Sequence, residues 1–274
     1  MTAARANARF STALGLLGGT YVLLILAMVA GDVGYLVTEG HARKALAALN
    51  SPQIRYATKL SLMSCFVAAL LSLWVAIPLG YLFSRTRFWG RSVVETIVDI
   101  PIVLPPLVVG MSLLIVFQTP PGRWVEDQFA RLFDTRITFG IPAVILAQFA
   151  VSCAFAVRTM RVTFDQISPR PEQVALTLGC TRSQAFWSVA IPEAWRGIVS
   201  AGTLAWARAL GEFGPILIFA GATRMRTEVL STTVFLEWSV GELEAGIAVS
   251  LLMIAVSVVV LLLMRAFGLR SAPA

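Results

Sequence analysis

The chain has 274 residues, of which 57% are hydrophobic and 14% are charged, whereas soluble domains average about 45–50% apolar and about 25% charged residues. This composition excludes an ordinary soluble domain. The net charge of +7 could indicate a nucleic-acid-binding protein, but only two of the 22 basic residues are lysines, and no long basic run occurs. We therefore interpret the charge as a consequence of membrane topology.

Several apolar runs are long enough to cross a bilayer, which takes about 20 residues in a helix. Five such runs contain no Asp, Glu, Lys, Arg or His, and a sixth span is interrupted only by Arg208 and Glu212. No alternating barrel-type strands occur, and unpaired backbone groups are too costly in lipid for an open fold. The sequence therefore predicts an all-α membrane protein, a single domain over 1–274, with six transmembrane helices at 12–30, 60–84, 95–117, 137–157, 198–221 and 245–264.

The first of these helices could instead be a secretory signal, because Arg5 and Arg9 precede it and the stretch AMVAG offers small residues for cleavage. Its 19 uncharged residues exceed the roughly 7–15 residues of a signal core. We therefore predict a helix that is retained in the membrane.

The orientation follows from the short basic loop SRTRFWGR at 84–91, which carries three arginines. Short loops rich in Lys and Arg face the cytoplasm, and six crossings place both termini on that side. The segment GRWVEDQFARLF at 122–133 then lies outside, with apolar residues such as Val125 and Phe129 at helical spacing. It predicts a short helix on the membrane surface, either an anchor or a docking site for an external partner.

Sites for nucleotide, metal or nucleophilic chemistry are missing from the sequence. Lys44 and Lys59 are the only lysines, and neither follows a glycine, so no phosphate-binding loop of the Gly-Lys-Ser/Thr type exists. His41 is the sole histidine, which excludes a zinc-protease pair. The three cysteines have no metal-like spacing and are interpreted as packing residues, and no cofactor is expected on this chain: Cys65, Cys153 and Cys180.

Two carboxylates near the third crossing keep an enzyme hypothesis open. Glu95 and Asp99 are four residues apart, and an intramembrane enzyme can use a carboxylate pair or, as the alternative, Arg208 and Glu212. Arg91 and Glu95 also have the spacing of a helical ion pair. We therefore favour a structural role for these acids over catalysis.

A polar island, EQVALTLGCTRSQAFWSVAIPEA at 172–194, lies between two apolar spans. Glu172 suits the positive end of a first helix, whose apolar stripe stops at Gly179. Thr181 or Ser183 can cap a second helix, which Pro192 should end. Helices this short are unstable alone in water, so they must pack either on the chain's own helix ends or in a partner's groove, and periodicity alone leaves both open.

The island resembles the EAA loop of permease subunits of bacterial ABC importers, in which a Glu-Ala-Ala start is followed by a glycine and then by a hydrophobic residue and proline. The shared positions are Glu172, Ala175, Gly179, Phe186, Ile191 and Pro192. In that family the loop is a coupling helix that docks on a separate ATP-hydrolysing subunit. The resemblance implies a cytoplasmic coupling loop at 168–196, ATP and Mg bound by the partner, and six coupling residues: Glu172, Ala175, Leu178, Gly179, Phe186 and Pro192.

Two further stretches resemble the molybdate, tungstate and sulfate branch of these permeases: DIPIVLPPLVVG at 99–110 and ARALGEFGPILIFAG at 207–221. This resemblance implies a type I importer core in the bacterial inner membrane. It also implies three kinds of partner: a second permease copy, two ATP-binding subunits and an extracytoplasmic anion-binding protein. Molybdate or tungstate is the first expectation for the transported oxyanion, and sulfate or another small solute is the alternative.

The same two stretches supply candidate residues of the translocation path or its gate. Pro101, Pro105 and Pro106 each lack an amide hydrogen, so the third crossing should be kinked or broken. Irregular backbone is tolerated in a membrane where protein or a water-filled cavity receives it, and both a path-lining segment and a merely packed kink remain open. Arg208 and Glu212 lie one turn apart and can pair, either as a neutral structural pair or as a gate.

Overall fold

The computed structural model describes residues 2–37 and 41–269, with side chains over 10–37 and 41–262. Every regular element in these ranges is helical, and a π-helical turn, Phe186–Ala190, joins α9 to α10. The helices are α1 Thr2–Val37, α2 His41–Leu49, α3 Pro52–Arg85, α4 Arg91–Val103, α5 Pro106–Gln118, α6 Pro120–Phe133, α7 Ile141–Gln166, α8 Arg170–Thr177, α9 Arg182–Ala185, α10 Ile191–Glu193, α11 Trp195–Leu210, α12 Gly214–Phe219, α13 Leu230–Ser239 and α14 Leu243–Leu269.

Four of these helices, α1, α3, α7 and α14, are each long and apolar enough to cross a membrane. The pair α4 and α5 also qualifies as one span, although its two halves are bent by 113°. The prediction of an all-α membrane protein is therefore confirmed. The helix α1 stands apart, since its apolar window buries no residue inside the chain and its contacts are mainly with α14 and α2.

The centre of the fold is the packing of α3 against α7, with α11 laid across both. Phe83, Met160 and Phe164 are fully buried in this seam, and the Ser72 and Ser152 hydroxyls hydrogen-bond at 3.0 Å. Small residues let the two backbones approach closely, as is usual for helices in membranes. This arrangement fixes the relative position of the ends of α3 and α7.

Gly80 on α3 is one of these close approaches and gives a first prediction. A Cβ atom at this position would lie 2.7 Å from the Met160 Cβ and 2.9 Å from the Arg161 backbone nitrogen. We expect Gly80→Val to destabilise the fold by about 1–3 kcal/mol, because overpacking forces the helices apart. Thermal unfolding of the purified protein measures this, with Gly18→Val on α1 as a control in open space; equal stability of the two variants would contradict the packing.

The predicted fifth crossing, 198–221, is divided into α11 and α12. The break lies between Leu210 and Gly214, where Glu212 turns its side chain inward and is 1% exposed. Pro215 provides a reason, since a residue before proline is biased away from the helical region and proline is favoured in the first turn of a new helix, which is where it lies in α12. The sequence did not predict α13, which lies beside this break. Its Ser231 hydroxyl donates a hydrogen bond to the Glu212 carbonyl at 2.7 Å.

The third crossing is broken, as the prolines predicted. The chain bends between α4 and α5, at Leu104 and Pro105, and Pro106 opens α5. Pro101 lies inside α4 and does not end it. The predicted surface helix at 122–133 is α6.

Candidate coupling and translocation site

The polar island forms an elbow of short helices, which we define as residues 168–194. The helix α8 ends in a turn in which the Cys180 amide donates to the Ala175 carbonyl at 3.0 Å. Gly179 adopts φ +93° in this turn, a left-handed conformation that glycine tolerates best. The next helix, α9, begins at a capping box in which Thr181 and Gln184 each bond the other's backbone amide. The turn predicted at Gly179 and the cap at Thr181 are therefore both present.

Pro192 does not end the second helix of the elbow, contrary to the prediction. The chain stays helical through the π-helical turn and α10, and α11 begins only two residues after α10 ends. The Ile191 amide donates to the Phe186 carbonyl, five residues back. The π-helical turn ends just before Pro192, which has no amide hydrogen. Pro192 lies in the first turn of α10, where a backbone amide hydrogen is not needed for helical hydrogen bonding.

Glu172 points into its own chain and is 6% exposed. Its carboxylate accepts a hydrogen bond from Arg85 Nε at 3.0 Å and another from the Tyr81 hydroxyl at 2.7 Å. Arg85 Nη2 also donates to the Ile167 carbonyl at 3.0 Å, just before the elbow. The elbow is therefore fixed to the last turn of α3, at the same end of the bundle as the basic loop at 84–91.

A second face of the elbow is open. Leu178 is 80% exposed, Trp187 is 66% exposed, and Val174 is also exposed. Phe186 faces inward, with its ring 4.7 Å from that of Tyr81. Of the six predicted coupling residues, the structure turns Glu172 and Phe186 toward α3, leaves Ala175 half-buried and exposes the rest: Leu178, Gly179 and Pro192.

The two predicted path segments meet at their breaks. A Cβ atom on Gly110 of α5 would lie 2.6 Å from the Pro215 Cα of α12, and one on Gly214 would lie 3.0 Å from the Leu107 amide nitrogen. The start of α5 therefore contacts the start of α12. Pro105 and Pro106 are exposed, although Pro106 also borders this contact, with its Cβ 3.1 Å from a Cβ atom built on Gly214. Pro101 lies inside α4.

Arg208 and Glu212 form the expected ion pair, with Nη1 and Oε2 2.5 Å apart. The Glu212 side chain is almost completely buried, and the Arg208 side chain is 28% exposed. The guanidinium carbon also lies 5.7 Å from the centre of the Phe155 ring, a favourable cation–π distance. The pair occupies the break between α11 and α12, so it contributes structure at a point where the backbone is irregular.

Of the two carboxylates of the enzyme hypothesis, Glu95 has structural partners. Glu95 bonds Arg91 Nε at 2.7 Å and Arg161 Nη1 at 3.1 Å, as the helical spacing predicted. Asp99 shares no hydrogen bond or ion pair with Glu95 in the described structure. The described residues also contain no group of three His, Cys, Asp or Glu side chains that could hold a metal ion.

Sequence reasoning missed three residues at the elbow: Tyr81 and Arg85 of α3, which contact it, and Trp187 within it. Tyr81 and Arg85 lie about 90 positions before Glu172, and no periodic pattern connects residues so far apart. In the sequence Arg85 is recognisable only as part of the basic loop at 84–91. Trp187 lies beside Phe186 in the sequence, and only the fold shows that it is exposed together with Val174 and Leu178, as apolar surface of the elbow that can contact a partner.

The arrangement of these helices matches solved structures of ABC transporters. A chain of a bacterial alginate ABC transporter, crystallised in complex with an alginate pentasaccharide-bound periplasmic protein, superposes with a TM-score of 0.62 over 91% of this chain and 95% of that chain, at 19% identity. A bacterial ABC transporter involved in alginate import gives a TM-score of 0.63 at the same identity, over 93% of this chain and 98% of that chain. The fold is therefore that of a type I ABC importer permease.

Residues 76–272 match the family described as binding-protein-dependent transport system inner membrane component, and the chain belongs to this family. It is 31% identical to the sulfate transport system permease protein CysT of Escherichia coli, over 78% of this chain and 76% of that protein. It is 32% identical to the molybdate/tungstate transport system permease protein WtpB of Thermococcus kodakarensis, over 74% and 75%. The molybdenum transport system permease protein ModB of Mycobacterium tuberculosis is 33% identical, over 79% and 80%.

These similarities identify the chain as an ABC importer permease of the sulfate and molybdate branch, located in the inner membrane. Permeases of this kind are transport components and not enzymes, so the intramembrane enzyme hypothesis is set aside.

Proposed function

We propose that this permease moves a tetrahedral oxyanion, molybdate or tungstate first, and that its elbow receives the force for transport from a separate ATPase. The observation that carries the proposal is the two-sided elbow, with Glu172 fixed to α3 and Leu178 and Trp187 exposed. The sequence has no phosphate-binding loop of its own. We therefore assign ATP and Mg to two partner subunits that bind the open face of the elbow.

The second copy of the permease is proposed from the exposed break at Pro105 and Pro106. A single chain leaves this side of the α5–α12 contact uncovered, and a symmetric partner would enclose a path there. An extracytoplasmic anion-binding protein would deliver the ion from the opposite side. Arg85 and Arg91 lie at the elbow end, which supports a cytoplasmic position for the elbow, and six crossings would place both termini on that side as well.

Sulfate is the second candidate for the transported ion. It is favoured by the similarity to a sulfate permease at nearly the same identity and coverage as the molybdate relatives.

A divalent oxyanion near the α11–α12 break would be attracted by Arg208 and repelled by Glu212. This pair therefore suits a gate better than a tight binding site.

Competition for ATP-dependent uptake tests the proposal. The permease is co-purified with its ATPase, reconstituted in vesicles with the binding protein, and supplied with labelled molybdate. We expect uptake to require ATP, tungstate to compete strongly and sulfate to compete weakly, because molybdate and tungstate are closest to each other in size. Equal competition by sulfate would transfer the assignment to sulfate, and uptake without ATP would reject the importer mechanism.

A further inference from the structure

We propose that Arg85 and Tyr81, at the end of α3, are the positioning residues that transmit movement of the elbow to the membrane helices. This inference rests on the proposed coupling function. It also reassigns Glu172, which the family resemblance had placed among the residues that couple to the ATPase, as the internal anchor of the elbow.

The burial of Glu172 is the first step of the argument. Its side chain is 8% exposed and its two carboxylate oxygens already accept from Tyr81 and Arg85. A partner protein can reach Leu178 and Trp187 but not this carboxylate. Hydrogen bonds in which the donor or the acceptor is ionised are roughly twice as strong as neutral ones. The bonds of Tyr81 and Arg85 to Glu172 can therefore keep α3 and α8 together when α8 moves.

Arg85 connects the end of α7 to the first helix of the elbow, α8. Nε bonds Glu172 on α8, and Nη2 bonds the carbonyl of Ile167, the residue that follows α7. The guanidinium group has donors fixed in one plane, so it holds these two acceptors at a set separation. Movement of α8 relative to α7 must therefore displace the end of α3 or break these bonds.

Tyr81 extends the connection to the second half of the elbow. Its ring packs edge-on against Phe186, at 4.7 Å, and against Phe164 of α7, at 5.4 Å. Its hydroxyl bonds Glu172. One α3 side chain thus contacts α7, α8 and the π-helical turn, and both arms of the elbow are connected to the same turn of α3.

The neighbouring helices would carry the displacement further. Gly80 lies against the Met160 and Arg161 backbone of α7, and Gly197 at the start of α11 lies against Thr163 of the same helix. At these two positions α3 and α11 are therefore in direct contact with α7. A displacement of Arg85 is therefore passed to α3, α7 and α11. The helix α11 continues to Arg208 and to the break before α12.

The test uses Arg85→Gln in the full permease, co-purified with its ATPase and reconstituted with the binding protein. We expect the complex to form and to hydrolyse ATP within about twofold of wild type, because the open face of the elbow is unchanged. Uptake of the oxyanion should fall about tenfold or more, as expected when a coupling interaction is lost. Arg91→Gln is the control, since Glu95 keeps Arg161 as a partner, and it should transport normally.

Tyr81→Phe provides a milder second variant that keeps both ring contacts and removes only the hydroxyl, and we expect an uptake loss of about threefold without loss of the complex. Combining Arg85→Gln with Glu172→Gln should add little to either single change, since both break one connection. Normal uptake by Arg85→Gln would overturn the inference, as would loss of the ATPase from Glu172→Gln alone. Absence of ATP-driven uptake in the wild type would reject the proposed function instead.

Discussion

Replacing Gly179 by leucine is expected to leave insertion of the permease intact and to reduce ATP-driven uptake by about tenfold or more, a typical coupling loss. A Cβ atom at Gly179 meets nothing within 4 Å in the chain, so the new side chain points into the space assigned to the ATPase. The left-handed backbone adds about 1–2 kcal/mol of strain, which is too little to unfold the bundle. ATP hydrolysis by the assembled complex should continue while transport is lost.

Gly241 provides a matched control for this experiment. It has φ +86° and also meets nothing within 4 Å, but it lies between α13 and α14, at the end of the bundle opposite the elbow. Gly241→Leu therefore introduces the same backbone strain and the same added side chain without approaching the ATPase. If the two variants lose uptake equally, or if neither does, the elbow is not the coupling segment.

Replacing Arg208 by leucine is expected to destabilise the permease by about 3–5 kcal/mol, because removing one partner of a buried ion pair leaves an uncompensated charge. Glu212 has almost no exposure and its Oε2 faces the guanidinium group. Glu212→Gln should cost less, since it keeps the shape and removes the charge. Thermal unfolding of the purified variants measures the difference.

The double variant Arg208→Leu, Glu212→Leu tests what the pair does. Replacing both partners of a buried pair by apolar residues is often neutral, so most of the stability should return. Recovered uptake in this variant identifies a structural pair, and lost uptake in a stable protein identifies a gate. A double variant as unstable as Arg208→Leu alone would contradict the view that the buried charge of Glu212 is the cause.

The long helices could be predicted because composition and length are enough to define them. The uncharged run at 60–84 lies within α3, the run at 137–157 begins four residues before α7 and continues inside it, and the adjacent prolines at 105 and 106 mark the break before α5. The island at 172–194 was predictable as an elbow because a glycine and a capping threonine have local signatures. The family was recognisable from the same residues.

The rest depends on contacts between residues far apart in the chain. Nothing near Glu172 in the sequence indicates that it pairs with Arg85, and nothing near Pro192 indicates that a π-helical turn will accommodate it. The fifth crossing was predicted as one helix because the run 198–221 is strongly apolar. Gly211, Glu212 and Gly214 form too short an interruption in this run to indicate a break from sequence alone. The helix α13 is short, and its position is fixed by hydrogen bonds to Ser61 and to the Glu212 carbonyl, which only the folded bundle supplies.

The isolation of α1 has a consequence for how the permease responds to its lipid. The uncharged run within α1, 12–30, has 19 residues and is therefore about 28 Å long, close to the roughly 30 Å thickness of the hydrocarbon layer of a bilayer. Other helices have their tilt fixed by neighbours, but α1 has few. The thickness of the host bilayer, rather than the side chains of the bundle, then decides the angle at which this helix crosses.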